Sequence, residues 1–222
     1  MSSNAGSASP AQQSVSFDTS ELGWADQYKL LSSTIIPRPI ALVSTDGPLG
    51  PNAAPFSAFN YICIDPPMLM FSVGPNQGAK KGQEKDTLVN VRATGEFVVN
   101  VVDEANIEKM NLCVPEYAAG VNEIELAGFT TAPSVRIKPP RIVDVPVQFE
   151  CKVVQILELG NAPYHVVIGE VVQVHCREDV IDERKHVDMA RLNPIGRLIG
   201  PGMYSRITDN FQLLPPTLPE QA

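Results

Sequence analysis

Thr34-Ile35-Ile36-Pro37-Arg38-Pro39-Ile40-Ala41-Leu42-Val43-Ser44-Thr45 runs into Asp46-Gly47-Pro48-Leu49-Gly50-Pro51 and then Asn52-Ala53-Ala54-Pro55-Phe56-Ser57. Pro39 to Thr45 is apolar and β-branched, which suits a strand. Asp-Gly and Gly-Pro punctuate a turn after it. Ala53 to Ile64 reads as the paired strand, so the two make a hairpin. Asp65-Pro66-Pro67 ends it, and Met68 to Val73, apolar apart from Ser72, reads as a strand buried on both faces.

Upstream, Glu21 to Leu31 is compatible with a short helix carrying the only tryptophan, Trp24, and is expected to pack onto the sheet as an entry element. Downstream, Gly74 to Glu84 is a loop, and Asp86 is placed to cap a helix that runs to about Ala93 and stops at Thr94-Gly95. Glu96 to Val102 is another strand. Asp103 is placed to cap a second helix, reaching about Cys113, with Ile107 and Met110 inward. Pro115 to Pro140 is loop-rich, with a short helix near Asn122 to Leu126. Two long strands, Val145 to Leu159 and Tyr164 to Cys176, flank a Gly160-Asn161-Ala162-Pro163 turn. Many strands, regular turns and few helices predict a mainly β fold, a closed antiparallel barrel with helices at its rim.

The 222 residues fit one domain, expected over 21–214, between tails at 1–20 and 215–222. The first tail is rich in Ser, Ala and Gln and lacks the basic start and apolar stretch of a secretory signal. A formal charge of −8 disfavours nucleic acid or an anionic membrane as a partner. No apolar run approaches the roughly 20 residues of a membrane span. Cys63, Cys113, Cys151 and Cys176 are far apart and form no C-x-x-C, which fits reduced thiols in a cytoplasmic protein. His165, His175 and His186 have no metal-site spacing. There is no dinucleotide fingerprint, no phosphate loop of the G-x-x-x-x-G-K-[ST] type and no G-x-S-x-G.

Positive charge gathers locally at Lys80, Lys81, Lys85 and Arg92. A helix start offers free N–H groups and the positive end of the macrodipole to an anion; Lys85 would add charge and Thr87 a hydroxyl donor. A solvated helix face capped by Asp86 accounts for the same residues. Ala53, Ala54 and Ser57 are small enough to let a flat ring approach the backbone, with Phe56 or Phe59 as a wall, although close packing under another element explains them as well. Arg38, held extended by Pro39, suits a phosphate, a ring edge or a surface ion pair. Taken together, these pieces describe a cradle for a planar ligand bearing a phosphate.

In order and spacing the segments resemble the flavin reductase-like family, the FMN-binding split-barrel proteins that include flavoredoxin. The pieces that match are Tyr28-Lys29-Leu30-Leu31, Pro37 to Thr45, Asn52 to Ser57, Asp65-Pro66-Pro67, Lys85-Asp86-Thr87 and Gly95 to Asn100. Asn122-Glu123 with Ala127-Gly128, Gly169-Glu170-Val171, Pro194 to Leu198 and Tyr204 complete them. The resemblance implies an antiparallel split β-barrel (Greek-key-like) with peripheral helices, a homodimer with FMN near its interface, and NADH or NADPH as reductant. It further implies that Asn52, Ala54, Phe56 and Ser57 line the isoalloxazine, that Ser72, Lys85, Asp86 and Thr87 hold the ribityl phosphate, and that Arg38, Asn90, Arg197 and Tyr204 contribute. The implied activity is NAD(P)H:flavin reduction, with a partner oxygenase or electron-transfer protein as acceptor. A flavoredoxin-like electron carrier and a non-catalytic ligand-binding barrel are the alternatives. No catalytic side chain is expected, because the cofactor carries the chemistry. One departure stands out: related short-chain reductases place a His five residues before the Gly-Glu-Val, where this chain has Tyr164, with His165 next to it.

Overall fold

The computed structural model describes residues 13–216, so most of the tails expected at 1–20 and 215–222 lies outside the described residues. In chain order, α1 (Trp24–Thr34) leads into β1 (Ala41–Gly47), β2 (Gly50–Phe56), β3 (Phe59–Ile64) and β4 (Pro67–Val73). Next come α2 (Asp86–Thr94), β5 (Glu96–Val101), α3 (Ile107–Leu112), α4 (Glu123–Leu126), β6 (Thr131–Ala132) and β7 (Arg141–Ile142). The long hairpin β8 (Val147–Leu159) and β9 (Tyr164–Cys176) follows, then α5 (Met189–Leu192), β10 (Ile195–Arg197) and β11 (Tyr204–Arg206). No helix among the described residues is long and apolar enough to cross a membrane.

Seven antiparallel strands form one sheet in the order β2-β1-β5-β8-β9-β4-β3. β2 and β3 are its opposite edges, yet only Ser57 and Ala58 join them. From Phe56 to Phe59 the chain can reach at most about 11 Å, so the sheet must roll until its edges meet at that corner. The result is a split barrel: the sheet is curled, but β2 and β3 are not paired to each other. This corrects the single strand expected from Ala53 to Ile64, which bends at Ser57-Ala58 and passes from β1 to β4. The Ser72 N–H donating to Ala58 O at 2.9 Å fixes the corner.

β1 decides the layering because it is buried on both faces. Ala41 and Val43 point into the barrel with Phe71, Phe97 and Val167. Ile40 and Leu42 point the other way, under Met110 of α3 and Ile124 of α4. β4, by contrast, alternates: Leu69, Phe71 and Val73 are buried and their neighbours are not. The two-sided burial expected for it fails: one face enters the barrel core, while Met68, Met70 and Ser72 on the other are only partly buried. The close approach of β9 to β5 depends on Gly169, where a Cβ would lie 2.5 Å from Phe97 Cζ. α1 lies at the surface with no buried residue and with Trp24 and Tyr28 stacked and exposed, and Arg38 ties its C-terminal end to the barrel through Ser32 O and Ile35 O. Another expectation is corrected: Asp103 caps no helix with its side chain and accepts instead from Asn106 Nδ2 at 2.7 Å.

A polar cluster fastens the loop before β7 onto the sheet. Glu150 is fully buried, and its oxygens accept from Val135 N at 2.8 Å and Arg136 N at 2.7 Å. His175 Nε2 lies 2.7 Å away and Arg141 Nε 3.8 Å. Burial pushes the Glu150 carboxyl up, but the two N–H donors and His175 outweigh it and hold it below the ordinary glutamate value.

Gly169→Ala is expected to destabilise the protein by about 1–3 kcal/mol in urea denaturation, as overpacking against a fixed ring does. Glu150→Ala is expected to lose about 3 kcal/mol at neutral pH, since it strips a buried charge network of its acceptor. A carboxyl whose pKa is lower in the folded state contributes fully above its unfolded value, 4.5 for glutamate, and loses that contribution as pH falls through the folded value. The gap between parent and variant should therefore narrow in acid; parallel urea titrations in neutral and acidic buffer measure it.

Candidate functional site

The site grows from the packing of α2 against the β1–β2 hairpin. α2 begins at Lys85, an extended N-cap whose side chain does not cap it, and ends at Gly95, whose φ of 69° is left-handed. The first-turn N–H groups therefore have no side-chain partner. Asp86, expected as the cap, instead sends one oxygen to Lys80 Nζ at 3.2 Å and accepts from Gly120 N at 2.9 Å with the other. Gly47 lets the helix come close: a Cβ there would lie 2.7 Å from Asn90 Oδ1 and 3.0 Å from Asn90 Cα.

Asn90, fully buried, donates to Thr45 Oγ1 at 3.0 Å and Gly50 O at 2.8 Å and accepts from Leu49 N at 3.1 Å. Thr45 also donates to Asn52 Oδ1, and Asn52 Nδ2 donates to Thr87 Oγ1 at 3.1 Å. This chain of side chains ties the hairpin to the first turn of α2 and opens a cleft between them.

The cleft encloses about 80 Å³. Asn52, Ala54 and Phe56 form the hairpin wall, and Lys80, Lys85, Asp86 and Thr87 form the helix wall. The segment from Cys113 to Tyr117, with Glu123, closes the third side. Lys85 Nζ lies 2.8 Å from Asn76 Oδ1 and 3.5 Å from Glu116 Oε1, and the same Glu116 oxygen accepts from Gln77 N at 2.8 Å. Glu123 is buried and accepts from Ala53 N at 3.4 Å. Burial pushes its carboxyl up more than the N–H contacts lower it. Burial, helped by Glu123, also pushes the Cys113 thiol up to about 12, so this wall holds no thiolate nucleophile.

Six of the residues singled out in the sequence thus share one cleft: Asn52, Ala54, Phe56, Lys85, Asp86 and Thr87. Asn90 lies behind it as the hairpin clamp. Arg38, Ser57, Arg197 and Tyr204 gather elsewhere. The Arg38 guanidinium donates to Ser57 Oγ at 3.3 Å, Leu198 O at 2.8 Å, Ile35 O at 3.0 Å and Ser32 O. Arg38 and Arg197 bridge through their backbones, and Arg197 covers the Tyr204 ring at 4.8 Å. Ser72 sits on β4 and is not part of the cleft wall.

No bulge in β9 exchanges Tyr164 and His165. Val73 pairs with His165 and Ser72 with Val166 in unbroken register. His165 is buried, 3.4 Å from Glu158, whereas the Tyr164 ring packs on Gly74. Neither residue lines the cleft. Asn76, Glu116 and Cys113 do line it, without having been singled out as site residues; each lies outside the motifs, and only the fold brings it to the helix start. Among the described residues, no three His, Cys, Asp or Glu side chains are grouped to hold a metal ion.

Comparison with known proteins agrees with this geometry. The model of the flavin reductase like domain matches residues 32–204. An uncharacterized protein of Deinococcus radiodurans is 37% identical over 204 residues, covering 89% of this chain and 88% of its own. The crystal structure of 2-nitrobenzoate 2-nitroreductase NbaA from Pseudomonas fluorescens is 39% identical with a TM-score of 0.81, over 92% of this chain and 98% of that one. Nitrilotriacetate monooxygenase component B from Bacillus cereus is 32% identical with a TM-score of 0.85, over 91% of this chain and 100% of that one. With the split barrel and a domain match reaching from the end of α1 to the start of β11, the chain belongs to the flavin reductase-like family.

Proposed function

We propose that the protein is an FMN-dependent oxidoreductase, an NAD(P)H:flavin reductase. The observation that carries this reading is the meeting of Lys85 and the uncapped start of α2 with Asn52, Ala54 and Phe56 in one cleft. The residues fit the cofactor's two ends. Cationic side chains and free N–H groups suit a phosphate, while small residues beside a phenyl ring suit a flat heteroaromatic system.

Lys85 and the first turn of α2 would hold the phosphate, and Phe56 with Ala54 would support the ring. A bound flavin would supply two-electron chemistry, accepting hydride from NADH or NADPH. The chain's own contribution is to fix orientation, keep water from one ring face and stabilise negative charge with N–H donors.

At about 80 Å³ the cleft is far smaller than the roughly 300–1,000 Å³ of a complete cofactor pocket. The reading therefore places the phosphate end inside and the ring along the open side, where a second subunit completes the enclosure. An apolar groove of about 580 Å³ between β3–β4 and the β8–β9 hairpin, lined by Phe59, Tyr61, Ile64, Met68 and Val174, supports a homodimer, since Tyr61 and Ile64 are 70% and 73% exposed in the single chain. The four free cysteines suit a reducing compartment such as the cytoplasm. Similarity to a monooxygenase component B favours a partner oxygenase as the consumer of reduced flavin. Similarity to a nitroreductase favours a second reading, direct reduction of a small aromatic substrate in the same cleft.

Purified protein should carry or bind FMN, and NADH or NADPH should bleach the flavin absorbance under anaerobic conditions. Bleaching without an added partner separates a reductase from an electron carrier, and absence of flavin binding refutes both. Lys85→Ala is expected to weaken FMN binding by about 1.5–3 kcal/mol, the worth of a charge-assisted contact, in titration of flavin-free protein.

A further inference from the structure

Glu116 is the acid that pairs with Lys85 on the cleft wall. Its Oε1 accepts from the Gln77 N–H at 2.8 Å and lies 3.5 Å from Lys85 Nζ. Its side chain is 27% exposed, and a Cβ at Gly78 would lie 3.8 Å from Oε2, so the carboxylate rests close against the turn before α2. It thereby occupies a backbone N–H and the lysine ammonium, the donor types that a phosphate takes.

We propose that Glu116 is a built-in competitor for the phosphate position and so sets how strongly the site prefers a phosphate-bearing flavin to a phosphate-free one. This rests on the flavin reading of the cleft. A phosphate at Lys85 and the first turn of α2 would lie beside the Glu116 carboxylate, and two anions at one lysine repel, so FMN binds against Glu116 and favours its displacement. Riboflavin, which lacks the phosphate, leaves Glu116 in place. The carboxylate returns as FMN leaves, which favours exchange of the flavin over permanent retention.

The segment that carries Glu116 has anchors of its own. Gly120 N donates to Asp86 Oδ2 at 2.9 Å, and Tyr117 OH donates to Leu112 O at 2.9 Å. Neutralising Glu116 therefore leaves the segment attached. Lys80 is committed to Asp86 and does not compensate for the lost charge.

The test is titration of flavin-free parent and Glu116→Gln proteins with FMN and with riboflavin, read by quenching of flavin fluorescence. Glu116→Gln should tighten FMN binding about three- to tenfold, the scale of a partly exposed charge contact, and leave riboflavin binding unchanged. Unchanged or weakened FMN binding, or equal tightening for both flavins, overturns the proposal. A parent protein that binds neither flavin overturns the flavin assignment itself, a result distinct from a variant that binds both and treats them as the parent does. Glu116→Ala, which also loses the acceptor oxygens, should shift FMN in the same direction; a shift the other way would show that Glu116 supports the ligand and would likewise overturn the proposal.

Discussion

Everything in the cleft depends on how tightly α2 is seated on the β1–β2 hairpin, and Asn90 does the seating. One buried amide answers two backbone groups of the turn and the hydroxyl of Thr45, while Gly47 removes the side chain that would hold the helix away. A buried amide left without partners is costly, so helix and turn move as a unit. The first turn of α2 is then fixed relative to Asn52 and Phe56. Asn90 thus serves the site from behind, whatever part a ligand plays in front.

The cleft is electrostatically mixed. Lys80 and Lys85 bring positive charge to the helix start, and each already has an acidic neighbour, Asp86 and Glu116 respectively. Glu123 lies deeper, where burial favours its neutral form. Such a site binds an anion by exchanging partners, and its affinity reflects a difference between two sets of contacts rather than their sum. The curl of the sheet matters here as well. Because β2 continues into β3 across a two-residue corner, the hairpin wall of the cleft and the exposed apolar edge of β3 belong to one continuous strand path.

Much of this was legible before any coordinates. The strand at Pro39 to Thr45, the long β8–β9 pair and the helix after Lys85 all carry local signals that their neighbours do not override. Of the motifs that carry the family resemblance, the stretches Asn52 to Phe56 and Lys85 to Thr87 form cleft walls, with Glu123 from a third, while the others lie elsewhere in the barrel. What escaped reading has physical causes. The bend at Ser57-Ala58 has no local mark, because closure of a sheet is a property of all its strands. Asp86 looked like a cap because Asp often is one, but a distant N–H at Gly120 took its carboxylate. Arg38 and Ser57, close in sequence to the hairpin wall, turn to β10 and α1 through contacts that spacing cannot encode. Glu116 sits in a loop whose path only the packed chain determines.

The thiol of Cys113 on the cleft wall has one more implication. Reduced flavins in air generate peroxide, and the thiolate is the form of cysteine that peroxide attacks. A thiol whose ionisation is pushed up to about 12 remains almost wholly protonated at physiological pH. A flavin turning over in this cleft would therefore sit beside a thiol that is a poor target for peroxide.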